Sequence, residues 1–224
     1  MNKKLYFIML LFCTQLFAQT STTKTLGEFS ELKVYDRINV ELIKSDQNKI
    51  VIYGEHSQAV RIIQKNNILK IRMKLDKMFN GEDTNVKLYY TSVDKIDANE
   101  GAIIKATTEI KQYEIILKAQ EGAQISATIN TKLLIVKSIT GGVVNTLGEA
   151  VNQDVTLRTG GVYNGGKTKA QNSYILIKAG GEASLNTENV LDVKIFSGGD
   201  IFVYGTPKQL KQNKLFGGRI IFKD

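Results

Sequence analysis

A pair of glycines recurs at a nearly constant interval through the second half of the chain. The second glycines of these pairs are Gly142, Gly161, Gly181, Gly199 and Gly218. Successive pairs lie 19, 20, 18 and 19 residues apart. A similar interval towards the N-terminus leads to Gly122 and Gly101, each preceded by a glutamate. Self-similarity at about 20 residues is typical of solenoids, in which each repeat contacts only its neighbours. The sequence therefore predicts seven stacked repeats between residues 95 and 224.

The segments between the glycines indicate what each repeat contains. They read "YEIILKA", "KLLIVKS", "DVTLRT", "YILIKA" and "DVKIF", and they are rich in the β-branched and aromatic residues that suit pleated strands. A coil of about 20 residues accommodates two or three short strands and their corners, which is one turn of a parallel β-helix. The predicted fold class is all-β, with about seven coils of 18 to 21 residues. Each glycine pair would mark a sharp corner, with one residue at positive φ.

Residues 25–92 alternate between apolar and polar side chains but lack the glycine period. Asn66 and Asn67 separate two such alternations and predict a tight hairpin. Because a solenoid otherwise ends in an unpaired edge, we expect this portion to be a β-rich cap. The predicted organisation is thus a signal segment at 1–18, a cap at 19–94 and the glycine repeats at 95–224.

Residues 1–18 have the pattern of a secretory signal peptide. Lys3 and Lys4 form a basic start, an apolar run follows from Leu5 to Phe12, and Ala18 is a suitable cleavage point. Cys13, the only cysteine, lies inside this segment, so the mature chain would form no disulfide. No later stretch approaches the roughly 20 apolar residues that a membrane helix needs. We expect an exported protein of the periplasm or the cell surface.

The basic excess of the chain is mild. The net charge is +8, and removing Lys3 and Lys4 with the signal leaves 28 basic and 22 acidic residues, a difference of 6. The lysines are scattered, without the basic runs or the interleaved aromatic residues that are typical of nucleic-acid binding. Nucleic acid is therefore not an expected partner, whereas a glycan or a surface protein remains a candidate.

The chain resembles a known family in its first repeats and in the portion before them. The stretches that carry the resemblance are "FSELKVYDRINVELIKSD", "KIVIYGE", "VRIIQKNNILKIRMK", "NEGAIIKA" and "QEGAQISA". They are similar to the putative auto-transporter adhesin, head GIN domain family, over about residues 28–220. The resemblance implies a single-stranded right-handed parallel β-helix of secreted bacterial envelope proteins, with no assigned activity. Arg37 to Asn39 reads "RIN" where the family name leads one to expect "GIN".

Two carboxylates are the candidates for chemistry. Glu100 and Glu121 precede equivalent glycines and would stack about 4.8 Å apart. Such a pair can bind Ca²⁺ or act as acid and base on a glycan, whereas neighbouring lysines can also neutralise it. His56, the only histidine, is accompanied by no catalytic motif, so neither a zinc site nor a serine triad is expected. We therefore expect no cofactor, no metal and no catalytic residue.

Aromatic residues concentrate in the last four repeats, among them Tyr163, Tyr174 and Tyr204. On the surface they would contact a glycan or a protein, and in the interior they would fill the core. The function predicted is a non-catalytic binding or adhesion module of the cell envelope. Two alternatives stay open: a glycan-acting enzyme that uses Glu100 and Glu121, and a structural periplasmic protein. The last repeat has no obvious cap and predicts a homodimer through its edge.

Overall fold

The computed structural model describes residues 21–223, so the predicted signal segment lies outside the described residues. These residues form 17 strands and two one-turn 3₁₀ helices, Ser57–Ala59 and Leu75–Lys77. The strands are β1 (Thr22–Thr25), β2 (Glu31–Val34), β3 (Asn39–Lys44), β4 (Lys49–Gly54), β5 (Val60–Lys65), β6 (Ile68–Met73), β7 (Thr84–Tyr90), β8 (Lys95–Ala98), β9 (Ile103–Ala106), β10 (Ile110–Gln120), β11 (Gln124–Ile139), β12 (Val143–Arg158), β13 (Val162–Ile177), β14 (Glu182–Ser197), β15 (Asp200–Tyr204), β16 (Gln209–Phe216) and β17 (Arg219–Phe222).

The glycine repeats form a β-solenoid of seven stacked coils, as predicted. Successive coils pair in parallel, so that β10 pairs with β11, β11 with β12, β12 with β13 and β13 with β14. One inward column runs through Leu117, Val136, Val155, Ile175 and Val193, each paired with the next and fully buried. Stacked columns of this kind bury apolar side chains along the whole rod, which is the main source of stability in such a fold.

Each coil has three sides, and two of them meet at the glycine corner. Side A carries the segment before the corner, for example residues 134–138 of β11, and side B carries the segment after it, for example residues 143–147 of β12. A third side, which we call side C, joins side B back to side A near residues 129–133 of β11. The glycine corner thus sets the direction in which every coil turns.

The corner contains two consecutive left-handed residues rather than the single one predicted. Thr159 and Gly160 have φ of 49° and 73°, and Gly161 follows outside that region. A Cβ on Gly161 would lie 2.2 Å from the Ser138 carbonyl oxygen of the preceding coil, which no side chain tolerates. In this corner the first glycine adopts the left-handed conformation and the second allows the coils to approach, whereas in the last three corners both glycines have positive φ.

The predicted alignment of the first two coils was wrong by one residue. Gln124 pairs with both Ile103 and Val143, which places Gly101 and Gly122 opposite the first glycine of the later pairs, not the second. In the same way Ile116 pairs with Ile135 rather than Val136. The positions equivalent to the two corner glutamates are consequently Thr140, Thr159, Ala179, Ser197 and Phe216, not glycines. The strand pairing fixes this alignment, whereas the left-handed pair falls one residue later in the last three corners, where it consists of the two glycines.

The N-terminal portion joins the same ladder. β2 lies between β6 and β8, and β3 lies between β7 and β9, all in parallel pairing. The predicted hairpin is confirmed, since β5 and β6 are antiparallel around Asn66 and Asn67, which have φ of 51° and 60°. Antiparallel pairing of β5 with β6, β4 with β7 and β1 with β4 closes this end.

The last coil forms the other end of the solenoid. β16 pairs with β14 and β17 with β15, and every residue of β16 is exposed. Gln212 and Lys214 pair with the buried Val193 and Ile195, so polar side chains end two apolar columns. Polar terminal coils and edge lysines are common means of keeping an open edge soluble. The homodimer through this edge stays a prediction.

The close approach at the corner leads to a stability prediction. We expect Gly161→Ala to lower the free energy of unfolding by about 2 kcal/mol, because the new methyl group would have to displace the Ser138 carbonyl. The matched control is Ala123→Gly, since Ala123 occupies the equivalent corner position; it should cost only about 0.5–1 kcal/mol. Urea unfolding followed by circular dichroism measures both, and equal losses would contradict the proposed steric role.

Candidate ligand-binding cleft

A cleft of about 560 Å³ opens on side B of the central coils. We call it the Tyr204 cleft. Its lining combines small and polar residues with one leucine, one lysine and one tyrosine: Ser126, Ala127, Asn145, Thr146, Leu147, Asn164, Gly166, Lys167, Ser184 and Tyr204. Binding sites for small molecules are concavities of this size that hold a few well-placed polar groups.

Irregular strand pairing accompanies the cleft. The pairing between β12 and β13 shifts between Asn145 and Leu147, and the pairing between β13 and β14 shifts between Asn164 and Lys169. An extra residue in one strand bends the sheet locally and redirects side chains, and such bulges are common beside functional sites. The stretch "YNGGK", which might be mistaken for part of a phosphate-binding loop, is this irregular part of β13.

The Tyr204 side chain forms the aromatic edge of the cleft. It projects from the end of β15 and is partly exposed. A Cβ built on Gly166 would lie 3.0 Å from both Cδ2 and Cε2 of the Tyr204 ring. The absence of a side chain at Gly166 therefore lets the ring lie against the backbone of β13, two coils away. This contact restricts the ring and leaves its other surface available to a ligand.

A row of hydroxyl and amide groups runs beside the ring. Ser126, Asn145, Asn164 and Ser184 are paired one above another on successive coils. The Asn145 amide donates to Ser126 Oγ over 3.2 Å, and the Asn164 amide donates to Asn145 Oδ1 over 2.8 Å. Each amide is thus fixed in orientation by its neighbour, and an ordered row of donors and acceptors faces the cleft.

Tyr163 lies inside the solenoid beneath this row, not on the surface. Its side chain is fully buried, and its hydroxyl makes hydrogen bonds with Thr146 Oγ1 at 2.9 Å and Gln153 Oε1 at 3.0 Å. A Cβ on Gly165 would lie 2.3 Å from Cζ of the ring, so the ring fills the space that a side chain at 165 would need. The surface role predicted for Tyr163 is corrected accordingly.

Further hydrogen bonds connect Tyr163 to other buried polar groups. Thr146 Oγ1 lies 2.6 Å from Thr168 Oγ1, and the Gln153 amide donates to Ser173 Oγ over 2.7 Å. Burial raises the pKa of the Tyr163 hydroxyl to about 12. Such a network is stable only while its members are paired, so it fixes the irregular segment of β13 from within.

Tyr174 lies on side A and does not contribute to the Tyr204 cleft. It pairs with Asp154 and Asp192 on the adjacent coils, and the Lys194 ammonium group lies 5.3 Å from the centre of its ring. Of the three predicted tyrosines, Tyr204 thus lies in the cleft, Tyr163 in the core and Tyr174 on side A.

Glu100 and Glu121 lie at adjacent corners, as the sequence predicts. Gly101 N donates to the Glu121 carbonyl over 3.0 Å, and both side chains line a shallow depression with Arg37 and Phe79. Burial, followed by the nearby charge of Asp36, raises the pKa of Glu100. Within residues 21–223, no three His, Cys, Asp or Glu side chains come together as a metal site.

Asp36 is a third carboxylate at this acidic corner, and its position is set by backbone hydrogen bonds. Its carboxylate accepts hydrogen bonds from the backbone amides of Met73 (2.9 Å) and Phe79 (3.2 Å), which holds the segment between β6 and β7 against the solenoid. Arg37 follows with φ of 61°, and its amide donates to the Glu100 carbonyl over 2.9 Å. Arg37 therefore occupies the left-handed corner position that Gly101 fills in the next coil, which is where "GIN" would place its glycine.

Sequence reasoning missed the amide row and the glycines that shape the cleft. A signal was present, because Asn145 and Asn164 each stand three residues after the second glycine of a pair. Residues with the same phase in successive coils stack on one another. The proximity of Tyr204 to Gly166 had no such signal, since it depends on the irregular pairing of β13.

The fold and the cleft define the chain as a parallel β-solenoid with an aromatic-edged cleft on one side, in which polar groups lie among apolar surface. Residues 28–207 match the family described as putative auto-transporter adhesin, head GIN domain. This match covers more than half of the chain, and the chain belongs to that family. A comparison with curated proteins gives no match.

Solved structures share the fold. A putative adhesin from Bacteroides fragilis has a TM-score of 0.84 at 16% identity and covers 92% of this chain and 97% of its own. A putative lipid binding protein from Parabacteroides distasonis has a TM-score of 0.70 at 13% identity, with 92% and 97% covered. A putative adhesin from Parabacteroides merdae has a TM-score of 0.64 at 16% identity, with 92% and 96% covered. At these identities the likeness establishes the fold alone.

The buried hydroxyl of Tyr163 leads to a prediction about stability and pH. Tyr163→Phe leaves Thr146 and Gln153 with an unmade hydrogen bond, so we expect a loss of about 1–3 kcal/mol at neutral pH. Because the folded pKa of about 12 lies above the ordinary tyrosine value of 10.0, the wild type should lose stability as pH rises from 10 towards 12. The phenylalanine variant should show a smaller alkaline decline, since burial also raises the pKa of Tyr35 and Tyr90 and they contribute the remainder.

Chemical denaturation at several pH values measures this difference. Tyr113→Phe is the matched control, since Tyr113 is largely exposed on β10 and should change neither the stability nor its pH dependence. A Tyr163→Phe variant as stable as the wild type at neutral pH would show that the hydroxyl network contributes nothing.

Proposed function

We propose that the protein is a non-catalytic binding module of the cell envelope that recognises glycans through the Tyr204 cleft. One observation carries the proposal: an aromatic ring seated against the Gly166 backbone beside an ordered row of amides and hydroxyls. The family description, which names an adhesin, supports a binding role in the envelope.

The chemistry of the cleft suits a sugar. A sugar ring presents an apolar C–H face, which packs on an aromatic ring, and a rim of hydroxyls, each able to donate and accept hydrogen bonds. Tyr204 offers the flat apolar surface, while Asn145 and Asn164 offer both donors and acceptors. Lys167 at the margin adds a cation that would favour an acidic sugar.

The same lining supports binding without catalysis. Glycoside hydrolysis ordinarily needs two carboxyl groups on either side of the scissile bond. Among the described residues that line the Tyr204 cleft there is no aspartate, glutamate or histidine. Glu100 and Glu121, the basis of the enzymatic alternative, line a separate depression that shares no residue with the cleft. We therefore assign them no catalytic role.

Export is the second part of the proposal. The signal-like residues 1–18 and the adhesin description both support a place outside the cytoplasm. Within residues 21–223, no helix has the length and apolar character needed to cross a bilayer. A rigid rod of stacked coils suits recognition at a surface, since its outward side chains can vary without disturbing the core.

Substitution of Tyr204 tests the site. We expect Tyr204→Ala to weaken binding of glycans selected on an array by roughly 10-fold or more, because aromatic anchors commonly dominate binding energy. Tyr174→Ala is the matched control, since it removes a tyrosine from side A, and it should leave the affinity unchanged. Isothermal titration with the selected glycan measures both. Unchanged affinity in Tyr204→Ala would exclude the cleft, and a loss in Tyr174→Ala alone would move the site to side A.

Protease treatment of intact cells tests the location. We expect the mature chain to be degraded or released under conditions that leave a known periplasmic protein intact, because an adhesion module must reach its ligand outside the cell. Full protection of the chain, with degradation only after the outer membrane is opened, would contradict adhesion and direct the search to periplasmic glycans.

A further inference from the structure

Two adjacent outward columns on side A combine cations with apolar side chains. One column contains Lys137, Thr156, Leu176 and Lys194, which are paired in that order. The other begins with Ile139 and Arg158, which are also paired, and continues through the equivalent residues of the next coils: Lys178, Phe196 and Leu215. We call these nine residues the basic face.

The cations of this face are available to a partner. Among the ion pairs of the described residues, none involves Lys137, Arg158, Lys178 or Lys194. The two columns contain no acidic residue between Lys137 and Leu215. The neighbouring column contains two carboxylates, Asp154 and Asp192, of which Asp154 is partly buried and interacts with Lys137. The face therefore carries net positive charge along successive coils.

Apolar side chains project from the same surface. Phe196 is 51% exposed and Leu215 is 61% exposed, and both line a small hollow with Lys194. A second hollow of about 320 Å³ brings Ile139 and Leu176 together with the cations of the central coils. Large apolar groups that stay in water are unfavourable unless a partner covers them, and clusters of them commonly mark interaction surfaces.

From this combination we propose that the basic face docks on a membrane surface that contains anionic lipids. Interfacial segments bind bilayers by placing apolar side chains at the headgroup boundary while lysines and arginines contact the lipid phosphates. A soluble anion would use the cations but leave Phe196 and Leu215 in water, so the face is better matched to a lipid surface. This site is independent of the Tyr204 cleft, which lies on side B.

Vesicle binding by the mature chain tests the proposal. The probes are vesicles of phosphatidylcholine alone and of phosphatidylcholine mixed with phosphatidylglycerol, in a co-sedimentation assay. We expect binding to the anionic vesicles that weakens with added salt. Each phosphate-contacting cation contributes about fivefold in affinity, so the triple substitution Lys137→Gln, Arg158→Gln and Lys178→Gln should lose on the order of 100-fold.

Two further variants separate the apolar contribution from general charge. The double substitution Phe196→Ser and Leu215→Ser should also weaken binding, because it removes the apolar contacts at unchanged charge. A control with the same loss of charge elsewhere replaces three exposed lysines by glutamine: Lys24, Lys65 and Lys105. It should bind almost as well as the wild type.

Three outcomes would overturn the proposal. The first is that the wild type does not bind anionic vesicles. The second is that the control triple variant loses as much vesicle affinity as the triple variant of the basic face. The third is that the double serine variant binds vesicles as the wild type does while soluble dextran sulfate fully displaces the vesicles. The last result would identify a site for soluble anions. Tyr204→Ala should bind vesicles normally, so that failure of this proposal and failure of the glycan proposal can be told apart.

Discussion

The in-register parallel pairing of successive coils is the constraint on which the rest of the structure depends. In the coils that carry a glycine pair, stacking at the ordinary strand separation of about 4.8 Å leaves no room for a Cβ on the second glycine, whereas the first two coils have Ala102 and Ala123 at that position. At Gly161 an added Cβ would lie 2.2 Å from the Ser138 carbonyl oxygen, and at Gly142 the same distance separates it from the Ala119 carbonyl. The second glycine of each pair therefore permits the close approach of the coils, and the parallel pairing aligns the buried columns.

Regular stacking also determines what the surface can present. A residue type repeated at one phase of the repeat becomes a continuous row along the rod, whether inward or outward. Asn145 and Asn164 form such a row on side B, and Lys137 and Lys194 belong to one on side A. The two surfaces belong to different sides of one rigid framework, so each can contact its own partner without a change in the fold.

Much of the fold could be predicted from the sequence because the glycine period and the β-rich segments between the glycines both indicate a parallel β-helix. The alignment of the first two coils could not, since Gly101 and Gly122 resemble either glycine of a pair until the strand pairing is known. The interior position of Tyr163 was open to prediction, because Tyr163 stands in register with the buried Val144 and Ala183. The cleft beside it was not, since the pairing of β13 with β14 shifts after Asn164, and such a shift moves side chains from one surface to the other.

The polar interior beneath the Tyr204 cleft connects stability to recognition. A solenoid core filled with aliphatic residues would favour regular pairing throughout, which would leave side B flat. Tyr163 occupies the space beside Gly165 and bonds to Thr146 and Gln153, so the irregular segment has its own buried partners. Because buried polar groups are costly when unpaired, this network favours one arrangement of the segment over alternatives. The Tyr204 ring and the amide row are thereby held in place before any ligand arrives, which reduces the entropy lost on binding.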